Sequence, residues 1–154
     1  CSSLLIEYES RLIGKVVLPK PIYTAIITAP LIYVESSVAT RAQHIFNEYV
    51  VSDLEKYQGQ SELLLQKHLA SLNKISRRLG GDQEKSIKKE LTQAFSRPTH
   101  SFTIHEKWIS DLLTHYYDKL YDYSLEKLAR KVLFRGDKQA CQEYLRNQLA
   151  HLTT

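Results

Sequence analysis

The stretch from residue 35 to residue 130 constrains this chain most, because it reads almost wholly as helix yet stands between short runs that read as strand. Three such runs occur, Leu4–Tyr8, Leu31–Val34 and Lys131–Phe134. Each is brief, rich in β-branched or aromatic residues and bounded by turn or helix signals. Their apolarity is continuous rather than alternating, which predicts a sheet covered on both faces. The resulting order is an α/β plan with a large helical insertion between the second and third strands, mostly helical by content. Residues 1–52 and 124–154 are expected to form the α/β part, and residues 53–123 the helical lid.

The helical stretches carry their own punctuation. Pro21 suits the first position of a short helix reaching about Thr28. Val38, Ala42, Ile45, Phe46, Tyr49 and Val50 share one helical face. Ser52 followed by Glu55 resembles a capping box, so a helix is expected to restart there, weakened early by Gly59. Leu65, Leu69, Leu72, Ile75 and Leu79 keep helical spacing up to Gly80-Gly81, where glycine accepts the backbone of a helix end. Ile87, Leu91 and Phe95 mark another helix that ends before Pro98. Thr103 with Glu106 predicts a second capping box, opening a helix that bears Ile109, Leu112, Leu113, Tyr116, Tyr117 and Leu120. Asp137 is expected to cap a last helix carrying Cys141, Tyr144, Leu145 and Leu152.

Charge is concentrated rather than spread. The window Lys74–Arg97 holds seven basic and three acidic residues, and so carries the whole net charge of +4. Such a patch suits a phosphate-rich partner; the alternative is a solvated helix face. No apolar run reaches the length of a membrane span, so no membrane is expected. Two cysteines do not make a disulfide framework, and a reducing cytoplasm is the expected location. The six histidines show neither HxH nor HExxH spacing, so no metal site is expected from them. Cys141 falls on an apolar helical face, where it reads as a small buried residue.

Several motifs in fixed order carry a resemblance. Glu9-Ser10-Arg11-Leu12-Ile13-Gly14, then Leu18-Pro19, is similar to the ESRxIG…LP segment of bacterial tRNA 2-selenouridine synthases. Ala29-Pro30-Leu31 resembles that family's next strand, and Arg41 falls where the family has an arginine early in the following helix. Arg78-Leu79-Gly80-Gly81 resembles its RLGG. Tyr116–Tyr123 is similar to its YYDPMYDY, with Lys119 and Leu120 in place of Pro-Met. Val132–Asp137 resembles its VVFRGD.

The resemblance implies a fold and a chemistry. The family joins a rhodanese-like part, with a reactive cysteine, to a P-loop part with a glycine-rich phosphate cradle. Neither Cys1 nor Cys141 matches the rhodanese loop, and none of the five glycines has the GxxxxGK[ST] spacing. The chain therefore resembles the carboxy-terminal portion of the P-loop part, an incomplete P-loop NTPase-like parallel sheet. The strand feeding the cradle would lie between the first two strands read here. The family replaces sulfur by selenium at the wobble 2-thiouridine of tRNA, with selenophosphate as donor and a geranylated intermediate formed from geranyl diphosphate. A transferase fragment of this kind is expected to be inactive or marginally stable alone, and to need the amino-terminal segment in the same or another chain.

Site residues follow from the same resemblance. Glu9, Ser10, Arg11, Gly14, Arg41 and Arg135 are expected at a phosphate or substrate site, with Mg²⁺ a possible companion held through Glu9. The alternative for Glu9–Arg11 is an ion pair that shapes the turn, and Arg135 has Asp137 as an alternative partner. Arg77, Arg78, Lys85, Lys88, Lys89 and Tyr121 are expected to contact tRNA; a solvated face is the alternative, above all for Arg77. Tyr116 and Tyr117 read as core, and Tyr121 and Tyr123 as open to a base. Two other readings share parts of the pattern: a non-catalytic tRNA-binding module, and the remnant of a P-loop kinase for a small molecule.

Overall fold

The computed structural model describes residues 4–7, 11–13, 15–128 and 131–150. The chain divides into two units. One comprises Cys1–Ser36 with Tyr123–Thr154, and the other Ser37–Asp122.

The first unit opens with Leu4–Glu7, which has no strand pairing among the described residues. This corrects the expected strand Leu4–Tyr8, whose last residue lies outside the described ones. An apolar run becomes a strand only where a neighbour completes its ladder, and no described strand lies along this one. A small antiparallel hairpin follows, β1 (Leu12–Ile13) with β2 (Val16–Val17), which the sequence reading did not anticipate. Helix α1 (Lys20–Thr28) starts as expected, with proline in its first turn.

Strand β3 (Leu31–Val34) matches its expected bounds and pairs in parallel with β4 (Val132–Gly136). The second of these runs two residues past the expected end at Phe134. Tyr33 pairs with Arg135 and Val34 with Gly136, so the ladder continues through polar sequence. Helix α8 (Lys138–Ala150) packs on both strands. Asp137 caps it as expected, its Oδ1 accepting from the Ala140 amide at 2.8 Å. The Phe134 and Tyr144 rings stack with centroids 4.6 Å apart. Cys141, 3% exposed, is the one buried residue among those described in this unit. The expectation of a sheet covered on both faces therefore fails: Val34, Val132 and Leu133 are exposed. Among the described residues, only α8 is seen to pack on both strands of this parallel pair, which leaves much of it open.

The second unit is all helix. It contains α2 (Val38–Phe46), α3 (Ser52–Lys56), α4 (Ser61–Leu79), α5 (Gly81–Phe95), α6 (Phe102–Leu112) and the start of α7 (Asp118–Leu128). Single π-helical stretches join α2 to α3 (Asn47–Val51) and α6 to α7 (Leu113–Tyr117). Ser52 is thus not a restart, because its amide still bonds the Asn47 carbonyl within a continuous helix. The break comes later, at Gln58 and Gly59, both with positive φ. Thr103 is not a cap either. Helix α6 begins at Phe102, and the Thr103 hydroxyl meets that of Ser101 at 3.0 Å.

Fourteen side chains form the core of this unit, among them Phe46, Leu64, Ile87, Leu91, Trp108 and Ile109. The helical faces read from spacing supply most of them. Burying a large apolar side chain contributes about 1.5–3 kcal/mol, so this core is the main apolar contribution to the stability of the unit.

Candidate functional site

Two sets of residues stand out, one in each unit. In the first unit the carboxyl ends of the parallel strands come together, the place where open α/β sheets gather ligand-binding groups. The Glu35 amide donates to the Gly136 carbonyl at 2.7 Å and ties the ends. Arg135 lies over the Tyr33 ring, 4.4 Å from its centroid, and pairs with Glu35 at 3.6 Å. Both side chains of that pair are more than half exposed, which leaves the guanidinium accessible. Gly136 lets α8 approach closely: a Cβ there would stand 3.2 Å from both the Ala140 methyl and the Phe134 ring. The Cys141 thiol faces the Gly136 and Tyr33 carbonyls at 3.3 and 3.6 Å, buried beneath these ends.

Arg11 belongs to the same unit. Its Nε donates to the Leu18 carbonyl at 3.3 Å, across the base of the β1–β2 hairpin, and the residue is exposed. Glu9, Ser10 and Gly14 lie outside the described residues. In the same unit lies an apolar cleft of about 770 Å³, with Leu4, Leu5, Ile6, Leu31, Ile32 and Leu133 among its lining.

In the second unit, Lys74, Arg77 and Arg78 follow an i, i+3, i+4 spacing on α4, and Lys85, Lys88 and Lys89 repeat it on α5. These spacings place each trio on one helix face, opposite the buried Leu72 and Leu79 in the first case and Ile87 in the second. All six are exposed, and among the described residues none makes an ion pair. The acidic residues of the window are placed elsewhere. Glu90 holds Lys107 of α6 at 2.8 Å, while Asp82 and Glu84 occupy the first turn of α5, where the helix dipole favours them. Lys107, shared between Asp111 and Glu90, has its pKa raised by both.

Arg41 of α2 makes an ion pair with Asp118. Its two terminal nitrogens grip the Asp118 carboxylate at 2.5 and 3.0 Å, a two-pronged pair joining α2 to α7. Tyr116 packs against the core as expected, whereas Tyr117 is 40% exposed. Burial of its hydroxyl raises the Tyr117 pKa. Tyr121 and Tyr123 are more exposed still.

Sequence reading missed Glu35, Tyr33 and Asp118, and also a histidine cluster. His68, His100 and His105 meet around Phe95 and Trp108, with ring centroids 4.8–6.0 Å apart. Burial lowers the pKa of all three, that of His105 to about 4. Among the described residues no group of three or more His, Cys, Asp or Glu is placed to hold a metal ion. No helix there is long and apolar enough to cross a membrane.

Comparison with known proteins gives these features a context. The model of the tRNA 2-selenouridine synthase AAA domain matches residues 1–152. Curated relatives named tRNA 2-selenouridine synthase include one from Alcanivorax borkumensis, 34% identical over 95% of this chain and 42% of its own length. One from Shewanella oneidensis is 38% identical over 95% and 41%, and one from Pseudomonas fluorescens 33% over 95% and 42%. The chain thus spans about two fifths of the length of these relatives. No solved structure matches. With the family model matching residues 1–152, the chain belongs to the tRNA 2-selenouridine synthase family.

Proposed function

We propose that this chain contributes the tRNA-binding and phosphate-facing part of an enzyme that exchanges sulfur for selenium at the wobble 2-thiouridine of tRNA. The observation that carries this reading is the pair of exposed cationic trios on α4 and α5, within a family whose named members act in tRNA selenouridine synthesis. Guanidinium groups suit phosphate oxygens by shape as well as charge, which favours Arg77 and Arg78 as register-fixing contacts. Lys85, Lys88 and Lys89 add attraction without sequence reading. Tyr121 offers an aromatic face for an unpaired base.

In the same reading, Arg135 and Arg11 face the phosphates of the donor, selenophosphate or geranyl diphosphate. Arg135 can leave the weak, exposed pair with Glu35 for a better acceptor. Mg²⁺ would enter with those phosphates, through carboxylates such as Glu9. Arg41 would serve the site by holding α7, unless a phosphate displaces Asp118.

The reading also takes the two-stranded parallel pair as part of a larger P-loop NTPase-like sheet. The apolar cleft beside β3 is its support. A strand of the polypeptide that the longer relatives carry would run between Leu4–Ile6 and β3, completing both ladders. The cytoplasm, where tRNA is modified, is the proposed location.

Two measurements test the proposal. Nucleoside mass spectrometry of tRNA from the source cell should show selenouridine or geranylthiouridine, lost when the gene is deleted. Binding of tRNA by the chain should weaken steeply with salt, and Arg77→Ala with Arg78→Ala should reduce the log–log slope by about 2. Salt-sensitive binding together with unchanged nucleosides would favour the non-catalytic binding module, a reading the same six cations support.

A further inference from the structure

The histidine cluster of the helical unit contains an ordered chain of hydrogen bonds. Trp108 Nε1 lies 3.1 Å from His105 Nδ1, His105 Nε2 lies 3.0 Å from His100 Nδ1, and His100 Nε2 lies 2.8 Å from Ser61 Oγ. An indole nitrogen can only donate. His105 Nδ1 must therefore accept, and the proton of the neutral ring sits on Nε2. That proton is donated to His100 Nδ1, so the His100 proton also sits on Nε2 and is donated to the Ser61 oxygen. One donor-only residue thus sets both tautomers.

Two consequences follow. First, Ser61, His100 and His105 look in outline like a nucleophile with its base, but the polarity is wrong. The nitrogen facing Ser61 already carries a proton and cannot take another from the hydroxyl. Second, neither ring can gain a proton without breaking the chain. The free sites are His105 Nδ1 and His100 Nδ1, and each already faces an N–H. His105 is fully buried and Trp108 is 3% exposed, so no water replaces a partner lost between these two.

We propose that Ser61, His100, His105 and Trp108 form an acid-sensitive latch, closed while both imidazoles are neutral and opened by a single added proton. It ties the start of α4 to the segment before α6 and to α6 itself, and so holds the scaffold of the cationic helices. The ionisable neighbours sharpen the response. His68 of α4, its Nε2 against the Tyr49 carbonyl at 3.2 Å, joins His100 in opposing charge on His105. Lys67 and Asp53 act on His68 with opposite sign. The causes acting on His105 and His100 include no carboxylate.

The direction of the pH effect follows. A histidine whose pKa is lower in the folded state leaves the unfolded chain holding more protons. Stability is then constant above the ordinary value near 6.5, and falls as pH drops from there towards about 4. The test uses the full chain. Long-range ¹H–¹⁵N spectra at pH 7.5 should show both His100 and His105 protonated on Nε2 alone, and Trp108→Phe should turn His105 into a mixture of tautomers. The melting temperature should fall between pH 6.5 and 4.5, and His105→Gln, which keeps a donor towards His100, should flatten that fall. A His105 protonated on Nδ1 in the unaltered chain, or an equally steep fall in the His105→Gln variant, would overturn the latch.

Discussion

Asp53 shows how much a single buried residue of the helical unit depends on its partners, one local and one on the next helix. It is 5% exposed, and its two oxygens accept from Lys67 at 2.5 Å and Lys56 at 3.0 Å. The Lys67 hydrogen bond, with that of Lys56, lowers its pKa against the opposing effect of burial. The carboxylate therefore stabilises the fold at pH values above the unfolded value near 3.9, and this contribution disappears as pH falls through the lowered folded value. Asp53→Asn is expected to cost about 1–3 kcal/mol at pH 7, read as a shift in the denaturation midpoint, with the difference from the unaltered chain shrinking below pH 3. Asp118→Ala is expected to cost about 1 kcal/mol, since its pair with Arg41 is two-pronged but about one third exposed. Spacing could place Arg41 on α2, but its partner is 77 residues away, and no local pattern encodes that distance. The histidine relay was hidden for the same reason: Ser61, His100 and His105 meet only after α4, α5 and α6 pack.

At the scale of elements, the two glycines between α4 and α5 were read together as a stop, yet they do different things. Gly80 has φ +91° and ψ 147°, a conformation nearly closed to other residues. Gly81 is the first residue of α5, with no positive φ, and a Cβ at either would meet nothing within 4 Å. Space does not distinguish them, so backbone conformation alone must. Gly80→Ala is expected to destabilise by about 1–3 kcal/mol. Gly81→Ala is expected to stabilise by about 0.4–1 kcal/mol, because it only restricts the unfolded chain. Denaturant melts of the two variants should move in opposite directions. Apolar spacing revealed the helices well, because Ala42, Phe46, Leu72, Ile87 and Leu91 point inward at a regular period. It failed where regularity lapses. The π-helical stretch at Asn47–Val51 lets the chain continue past the apparent cap at Ser52, and nothing in single-residue propensity signals such a stretch.

For the whole molecule, the decisive contrast lies in how each unit meets water. Every member of the apolar core cluster falls in Ser37–Asp122. In the other unit Leu4, Leu5, Leu12, Ile13, Val16 and Val17 are all about half exposed or more, and aliphatic side chains line a cleft beside β3. Strand apolarity was legible in the sequence, but whether a neighbour covers a strand is a property of the assembled sheet. Local opening costs little where few apolar contacts resist it. Native-state hydrogen exchange should therefore find amides of β3 and β4 exchanging roughly a hundredfold faster than those of Leu64, Ile87, Leu91 and Ile109. Ile87 and Leu91 should exchange only on global unfolding of the helical unit. If the cleft is the seat of a strand, joining the chain to the polypeptide that the longer relatives carry should slow exchange in β3 and β4 to the rate of the helices. The same change should leave Ile87 and Leu91 unaltered. Equal protection of both units in the chain as it stands would mean that β3 and β4 need no further neighbour, and the larger sheet would have to be given up.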